Sequence, residues 1–306
     1  MRIVVPVKQV PATDAVRMDP ETGTMVRSGA AAVVNPLDLY AIEAALMLRE
    51  RLADRSMPDV ASGTVRDSRD AGVEIVAITM GPPPAEAVLR EAISLGCDRG
   101  VLLSDRRFGG ADTWATSRVL AAAIEGLAPV DLVITGERAT DGDTAQVGPG
   151  IAAWLDLPLA TYVAAVDEMG LAGAAGSASV DGTASTATVG DTPTHLTVER
   201  LVEDGYQIVR LPLPAVISVV KEIASPRLPT LDGKMRARRA EISVLGAAEL
   251  GVPPEELGLA GSPTRVVRIA TPQVVRSGET VEARDDATVA TAAIRIVDFL
   301  EAQGVL

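Results

Sequence analysis

Up to about residue 160, short β-branched runs alternate with Ala-rich stretches of helical spacing. The runs fall at residues 3–7, 73–78, 100–103 and 131–135, the helical stretches near 37–52, 84–95, 112–127 and 145–155. Strands that are apolar at nearly every position are buried on both faces. The alternation therefore predicts an α/β fold, a Rossmann-like parallel sheet with helices on both faces. Pro84 falls in a first helical turn, where a missing N–H is harmless. Residues 53–72, including the polar segment 54–71, lack any period and read as a surface insertion before the next strand.

From about 160 to 220 the pattern changes. Residues 161–166, 184–189, 195–202, 206–211 and 215–220 read as strands separated by polar or Gly-rich turns, and predict antiparallel strands added to the sheet. The stretch 170–182 is almost entirely Ala, Gly and Ser. Beyond Pro226, prolines and glycines break every long element until residues 286–303. There Val289, Ala293, Ile296, Val297 and Leu300 share one helix face. The expected organisation is a core domain over 1–225, a loop and basic stretch over 226–240, and an extended C-terminal arm over 241–306. A terminal helix on such an arm needs a partner to lie on.

Composition narrows the function. The chain has 306 residues, 47% of them hydrophobic but only 2% aromatic, and a net charge of −13. Aromatic platforms for single-stranded nucleic acid are not expected, nor is a basic face for duplexes. No apolar run approaches the ~20 residues of a membrane span, so no membrane insertion is expected. The opening residues read as a first strand, not as a cleavable leader. Cys97 is the sole cysteine, which forms no internal disulfide and fits a reducing, cytoplasmic setting. His195 is the sole histidine and sits in an alternating strand pattern. A single histidine speaks against most His-based metal sites.

In open parallel sheets, ligands sit at the carboxyl ends of the strands. The most informative such end follows residues 131–135. It runs through Gly136 and a polar loop into Asp141-Gly142-Asp143-Thr144-Ala145-Gln146-Val147-Gly148 and a helix. Thr144 is placed to cap that helix. The helix N-terminus offers amide donors and partial positive charge to a pyrophosphate. Gly142 and Gly148 permit close backbone approach. Asp141 and Asp143 suit ribose or ribityl hydroxyls. The competing reading is a capped helix behind a polar loop. No Walker loop, dinucleotide fingerprint or nucleophile elbow occurs. The residues alone thus point to a nucleotide binder without a catalytic group.

Several motifs in chain order resemble electron transfer flavoprotein beta subunits. They are the opening residues 3–11 with Lys8-Gln9-Val10-Pro11, then Asn35-Pro36-Leu37-Asp38 with its following helix, and Met80-Gly81-Pro82. The series continues with residues 141–149, Lys221-Glu222-Ile223, Pro226-Arg227, Leu231, and Met235 with Arg236-Ala237-Arg238-Arg239. The resemblance covers about residues 1–245. It implies an electron carrier subunit, not a stand-alone enzyme, that forms a heterodimer with an alpha subunit carrying a redox-active FAD. The beta subunit then holds a second nucleotide: AMP in one branch, FAD in the electron-bifurcating and nitrogen-fixation branch.

The motif at 141–149 resembles the second branch, because AMP-type members carry an acidic residue at the position of Gly142 and Asn-Gln-Thr-Gly beyond it. FAD is therefore expected here, with AMP the alternative. By resemblance, Val5, Pro6 and Val7 line the adenine site, Asn35 bonds near the ribose or adenine, and Met80 packs on the nucleotide. Residues 141–148 wrap the ribose or ribityl group and the phosphates. Pro6 and Met80 depart from the AMP-type pattern. Leu231, with Arg236, Arg238 and Arg239, is expected to dock acyl-CoA-type or other flavin dehydrogenases, and electrons would pass to a quinone oxidoreductase or ferredoxin-type acceptor. A stand-alone adenine-nucleotide sensor of the same fold is the alternative function.

Overall fold

The computed structural model describes residues 1–12, 17–18, 25–26, 32–55, 72–171, 193–267 and 280–305. In chain order the first strands are β1 (Arg2–Pro6), β2 (Gln9–Pro11), β3 (Arg17–Met18), β4 (Met25–Val26) and β5 (Ala32–Val34), followed by α1 (Pro36–Arg55). Then come β6 (Glu74–Met80), α2 (Glu86–Leu95), β7 (Arg99–Leu103), α3 (Thr113–Gly126), β8 (Leu132–Gly136) and α4 (Val147–Leu155). Next are β9 (Leu159–Leu171), β10 (Pro193–Val202), β11 (Gly205–Pro212) and β12 (Ala215–Val219). The remainder is α5 (Leu231–Arg239), β13 (Ser243–Leu245), α6 (Ala247–Leu250) and α7 (Asp286–Ala302).

Among the described residues, nine strands form one sheet in the order β11-β10-β9-β12-β8-β1-β6-β7-β13. Pairing is parallel from β9 across to β13, and β10 runs antiparallel to both β9 and β11. The two faces are sealed by different helices. One core packs Ile3, Val5 and Val7 against Ala41, Ile42 and Leu46 of α1 and Leu89 of α2. The other packs Val4, Val76 and Val133 against Val119 and Ile124 of α3 and Ile151 of α4. Continuous apolar strands are what such a doubly covered sheet requires, so the expected fold class is the observed one.

Three details differ from the pattern-based reading. Residues 215–220 were expected among the antiparallel additions. Instead β12 inserts between β8 and β9, parallel to both. Its burial on both faces, with every residue from Ala215 to Val219 inaccessible, is the physical reason. Second, part of the expected arm belongs to the sheet. β13 pairs with β7, and the compact unit runs from Met1 to Val266. Third, the loop expected around Leu231 is helical, since α5 starts there with Thr230 as its cap. The expected strand 184–189, the stretch 172–182 and most of the 54–71 insertion lie outside the described residues. A separate unit spans Val267–Leu306 and contains α7, where Asp285 accepts from the Thr288 amide as cap and no side chain is buried. No described helix is long and apolar enough to cross a membrane.

Candidate functional site

β1 is flanked by β6 on one side and β8 on the other. The chain leaves β1 through α1 towards β6 and later returns on the opposite side as β8. The loops at the carboxyl ends of β1 and β8 therefore diverge, and a crevice opens between them. Residues 7–8, the start of α1 and the loop 136–146 border it.

Side-chain alternation sorts the β1 residues. Val5 and Val7 are buried in the α1-side core, so they can meet a ligand only through their backbone. Pro6, one position out of phase, lies on the same side as Val4, facing the α3 and α4 layer. Met80, half-buried at the end of β6, packs on that side too.

Asn35 immediately precedes α1 and Pro36 is its first helical residue, a position where proline's missing N–H is tolerated. The Asn35 side chain is 1% exposed. Its Nδ2 donates to Asp38 Oδ1 (2.9 Å) and to the Arg138 carbonyl (2.9 Å), and its Oδ1 accepts from the Thr140 amide (3.1 Å). Its own backbone N–H donates to the Lys8 carbonyl (2.8 Å). Asn35 thus stitches the two walls of the crevice together. Both its amide hydrogens are used, which leaves one acceptor lone pair for a ribose or base.

Beside it, Asp38 Oδ2 accepts from the Lys8 amide (2.7 Å). Burial pushes the Asp38 carboxyl up to about 7, against the opposing hydrogen bonds from Asn35 and Lys8. The Lys8 ammonium reaches across the crevice to Asp141 Oδ1 (2.6 Å), whose side chain is only 4% exposed.

The loop itself begins under constraint. A Cβ on Gly136 would lie 2.5 Å from Asp38 Oδ1 and 2.8 Å from the Leu37 carbonyl oxygen, so only glycine lets the two walls come this close. Arg138 pairs with Glu137 (3.3 Å) and Asp143 (3.2 Å). Gly142 was expected to permit close backbone approach; the left-handed residues of the loop are Asp143 (φ 50) and Ala145 (φ 54). Ala in that region is strained, and such strain gathers at binding loops. At Gly142 a Cβ would meet nothing within 4 Å, so this position faces open space.

The expected cap also moves. α4 starts at Val147, and its N-cap is Gln146, which makes no side-chain cap bond. The Gln146 Oε1 instead accepts from the Thr113 hydroxyl (3.0 Å), while Thr144 is exposed two residues upstream. Val147 and Gly148 open the helix, so their amides have no partner inside it. Gly148 lies so close to β8 that its Cβ would sit 2.7 Å from Thr135 Oγ1. The Thr135 hydroxyl is buried without a partner, as is that of Thr79 at the end of β6. A buried hydroxyl left unpaired calls for a ligand or water. Free helix amides, the orphaned Thr135 hydroxyl and a glycine cradle together fit the phosphate and sugar of a nucleotide.

A second region is built on α1 and α2. Arg227 forks onto two α1 carboxylates, with Nη2 at 2.8 Å from Glu43 Oε1 and Nη1 at 2.6 Å from Glu50 Oε1. Those bonds raise the Arg227 pKa above its already high ordinary value. They pin the extended segment 224–230 to α1. From there Thr230 caps α5 by accepting from the Gly233 amide (3.0 Å). Arg236 donates to the Ile93 carbonyl (3.0 Å) near the end of α2. Leu228 and Leu231 are left 86% and 77% exposed.

Residues 61–250 match the family model "Electron transfer flavoprotein domain". The caffeyl-CoA reductase–Etf complex subunit CarD of Acetobacterium woodii is 39% identical over 284 residues, covering 92% of each chain. The electron transfer flavoprotein subunit beta of Thermoanaerobacterium thermosaccharolyticum is 40% identical over 280 residues, covering 91% of each. The chain belongs to the electron transfer flavoprotein family. Its relatives also include protein FixA of Azorhizobium caulinodans, 39% identical over 277 residues, with 89% of this chain and 85% of that one covered.

As an electron transfer flavoprotein chain of the beta type, it is an electron-transfer subunit of a flavoprotein. The stand-alone sensor reading finds no support in these relatives. Of the residues expected at the nucleotide, Val5, Pro6, Val7, Asn35, Met80, Asp141 to Thr144, and Gln146 to Gly148 lie at or just beyond the carboxyl ends of β1, β6 and β8. Of those expected at a docking surface, Leu231, Arg238 and Arg239 are exposed on α5, while Arg236 is partly tucked against α2.

Motif reading gave no role to Lys8, Asp38, Thr135 or Arg227. Lys8 and Asp141 stand 133 residues apart, and no local pattern reveals such a pairing. Asp38 had a local signal, three residues after the asparagine that opens a helix.

Proposed function

We propose that this chain binds FAD, with AMP the alternative, in the crevice between β1 and β8, and forms a heterodimer with an alpha-type subunit carrying a redox-active FAD. In that assembly it passes electrons from a flavin dehydrogenase or from NADH to a quinone oxidoreductase or ferredoxin-type acceptor, in the manner of the bifurcating branch. The observation that carries this reading is the crevice itself. Its helix amides, buried unpaired Thr135 hydroxyl and Gly148 cradle suit a pyrophosphate, and its carboxylates suit polyol hydroxyls. The open space at Gly142 favours the larger ligand.

A flavin held there supplies one- and two-electron redox chemistry, while the protein binds, orients and tunes it. The chain's own contributions are separable. The amides of Val147 and Gly148 hold negative charge. Lys8 and Asp141 fix the crevice width. Pro6 and Met80 would offer apolar contact to the bound nucleotide. In the same reading, residues 1–225 bind nucleotide, 226–240 dock the electron donor through Leu231, Arg238 and Arg239, and the segment after 241 reaches the alpha subunit with α7. A cytoplasmic setting fits the sole, buried thiol of Cys97.

The test is reduction of the purified heterodimer. Its flavin absorbance should bleach on mixing with NADH, or with an acyl-CoA dehydrogenase and substrate, and recover on adding an acceptor. A heterodimer whose flavin responds to neither donor contradicts the electron-carrier role.

A further inference from the structure

Asp38 is buried at the bottom of the crevice, and both its oxygens are bonded to neutral donors, the Lys8 amide (2.7 Å) and the Asn35 side-chain amide (2.9 Å). The nearest ammonium, that of Lys8, is drawn to Asp141 instead (2.6 Å). The charges that bear on Asp38 are therefore Lys8 from the β1–β2 junction and Asp141 from the loop after β8. Arg138, in the same loop, pairs with Glu137 and Asp143. Asp38 is therefore buried with no cation bonded to its own oxygens. A buried carboxylate without a bonded cation favours its neutral form. Consistent with this, burial is the largest influence on Asp38 and lifts its pKa to about 7, with the Asp141 charge adding to the rise.

Asp38 is also mechanically tied to the nucleotide loop. It lies directly under Gly136, the last residue of β8, and it holds Asn35, which in turn holds the Thr140 amide and the Arg138 carbonyl. An anionic nucleotide at the start of α4 brings further negative charge near a buried carboxyl that has no bonded cation of its own.

We propose that Asp38 is a proton-linked positioning residue: it holds the 136–141 loop through the bonds it accepts from Asn35 and the Lys8 amide, and it takes up a proton when an anionic nucleotide enters the crevice. This rests on the proposal that the crevice binds nucleotide. Binding is then tightest below neutrality and weakens as pH rises through the range where Asp38 ionises. Each further pKa unit gained on binding corresponds to about a tenfold loss of affinity across that range.

The experiment is calorimetric titration of FAD into nucleotide-free heterodimer, in buffers of different ionisation enthalpy. FAD is the probe because its pyrophosphate diester does not titrate near neutrality. Near pH 7 the apparent enthalpy should vary with buffer, giving uptake of up to about half a proton. Affinity should fall several-fold between about pH 6 and 8. In Asp38→Asn, uptake should vanish and the profile flatten while binding persists. The wild-type profile stands even if that variant misfolds. Binding with buffer-independent enthalpy and a flat profile overturns the role of Asp38 and leaves the nucleotide site intact. No binding by the wild-type heterodimer at any pH overturns the nucleotide site, and the Asp38 role with it.

Discussion

Replacing Arg227 by Ala should loosen the docking region without disturbing the crevice. The guanidinium makes forked bonds to Glu43, with Nε at 2.9 Å from Oε2 and Nη2 at 2.8 Å from Oε1. It reaches Glu50 through Nη1 (2.6 Å) and Nη2 (3.1 Å). The two halves differ in worth. Glu43 is 8% exposed and Glu50 41%, so Glu50 contributes like a surface pair, about 0–1 kcal/mol. Removing the partner of a buried carboxylate costs about 3–5 kcal/mol, because the charge is left behind. The Arg227 backbone amide still donates to Glu43 (3.0 Å), which softens the loss.

A value of about 2–4 kcal/mol follows for Arg227→Ala, or roughly 5–12 °C in melting temperature for a unit of this size. Lys presents no planar fork, so Arg227→Lys should recover only part. Adding Glu43→Gln to Arg227→Ala should restore stability, since no buried charge is then stranded. Denaturant unfolding followed by tryptophan fluorescence reads all of these. Trp114 and Trp154 lie 4.5 Å apart on α3 and α4, far along the chain from the substitution. An Arg227→Ala loss below about 0.5 kcal/mol would refute the reasoning, because Glu43 would then be shown to be solvated.

Other outcomes follow from single contacts. Gly136→Ala places a Cβ 2.8 Å from the Leu37 backbone, which cannot yield, so a loss of about 1–3 kcal/mol and weaker nucleotide binding are expected in a melt and a binding titration. Gly148→Ala strikes only the Thr135 hydroxyl (2.7 Å), and Thr135→Ala in the same chain should recover folding. Binding should not recover with it if that hydroxyl serves the ligand. Asp112 caps α3 and also ties down Thr264; burial opposes its ionisation, but bonds from the Ala115 amide and from Thr264 outweigh it and hold its pKa below the ordinary value. A depressed folded pKa gives stability that is present above about pH 4 and lost as pH falls further, so Asp112→Asn should flatten the acid limb of an unfolding profile. Asp38 has the opposite sign: the folded chain keeps its proton up to about 7. Its contribution to stability falls as pH rises from about 4 to 7, and Asp38→Asn should remove that slope.

The parallel core was legible because residues 3–7, 73–78, 100–103 and 131–135 are apolar without interruption, a pattern few other folds tolerate. Sheet order was not. β12 follows an antiparallel hairpin in sequence but pairs with β8, some 80 residues earlier, and a local period carries no record of such a neighbour. α5 was hidden by its punctuation. Pro229 and Gly233 suggest a loop, yet Thr230 caps the Gly233 amide, and Gly233 is required because a Cβ there would lie 2.1 Å from the Ser94 carbonyl. β13 spans only Ser243–Leu245, too short for any period to show. At the crevice, residue types told where a ligand could sit, but not what holds the walls. Lys8 with Asp141, and Asn35 with Arg138, are contacts between distant segments.

The central claim is that the crevice between β1 and β8 holds a nucleotide in a heterodimer with an alpha-type subunit. Its most direct test is to co-produce the chain with that subunit, denature the purified complex and quantify FAD and AMP released. Two FAD per heterodimer is the predicted result, and Gly148→Val, which fills the cradle against Thr135, should leave one. One FAD with one AMP would keep the site and correct its ligand. A heterodimer holding no second nucleotide, or no heterodimer at all, would contradict the account.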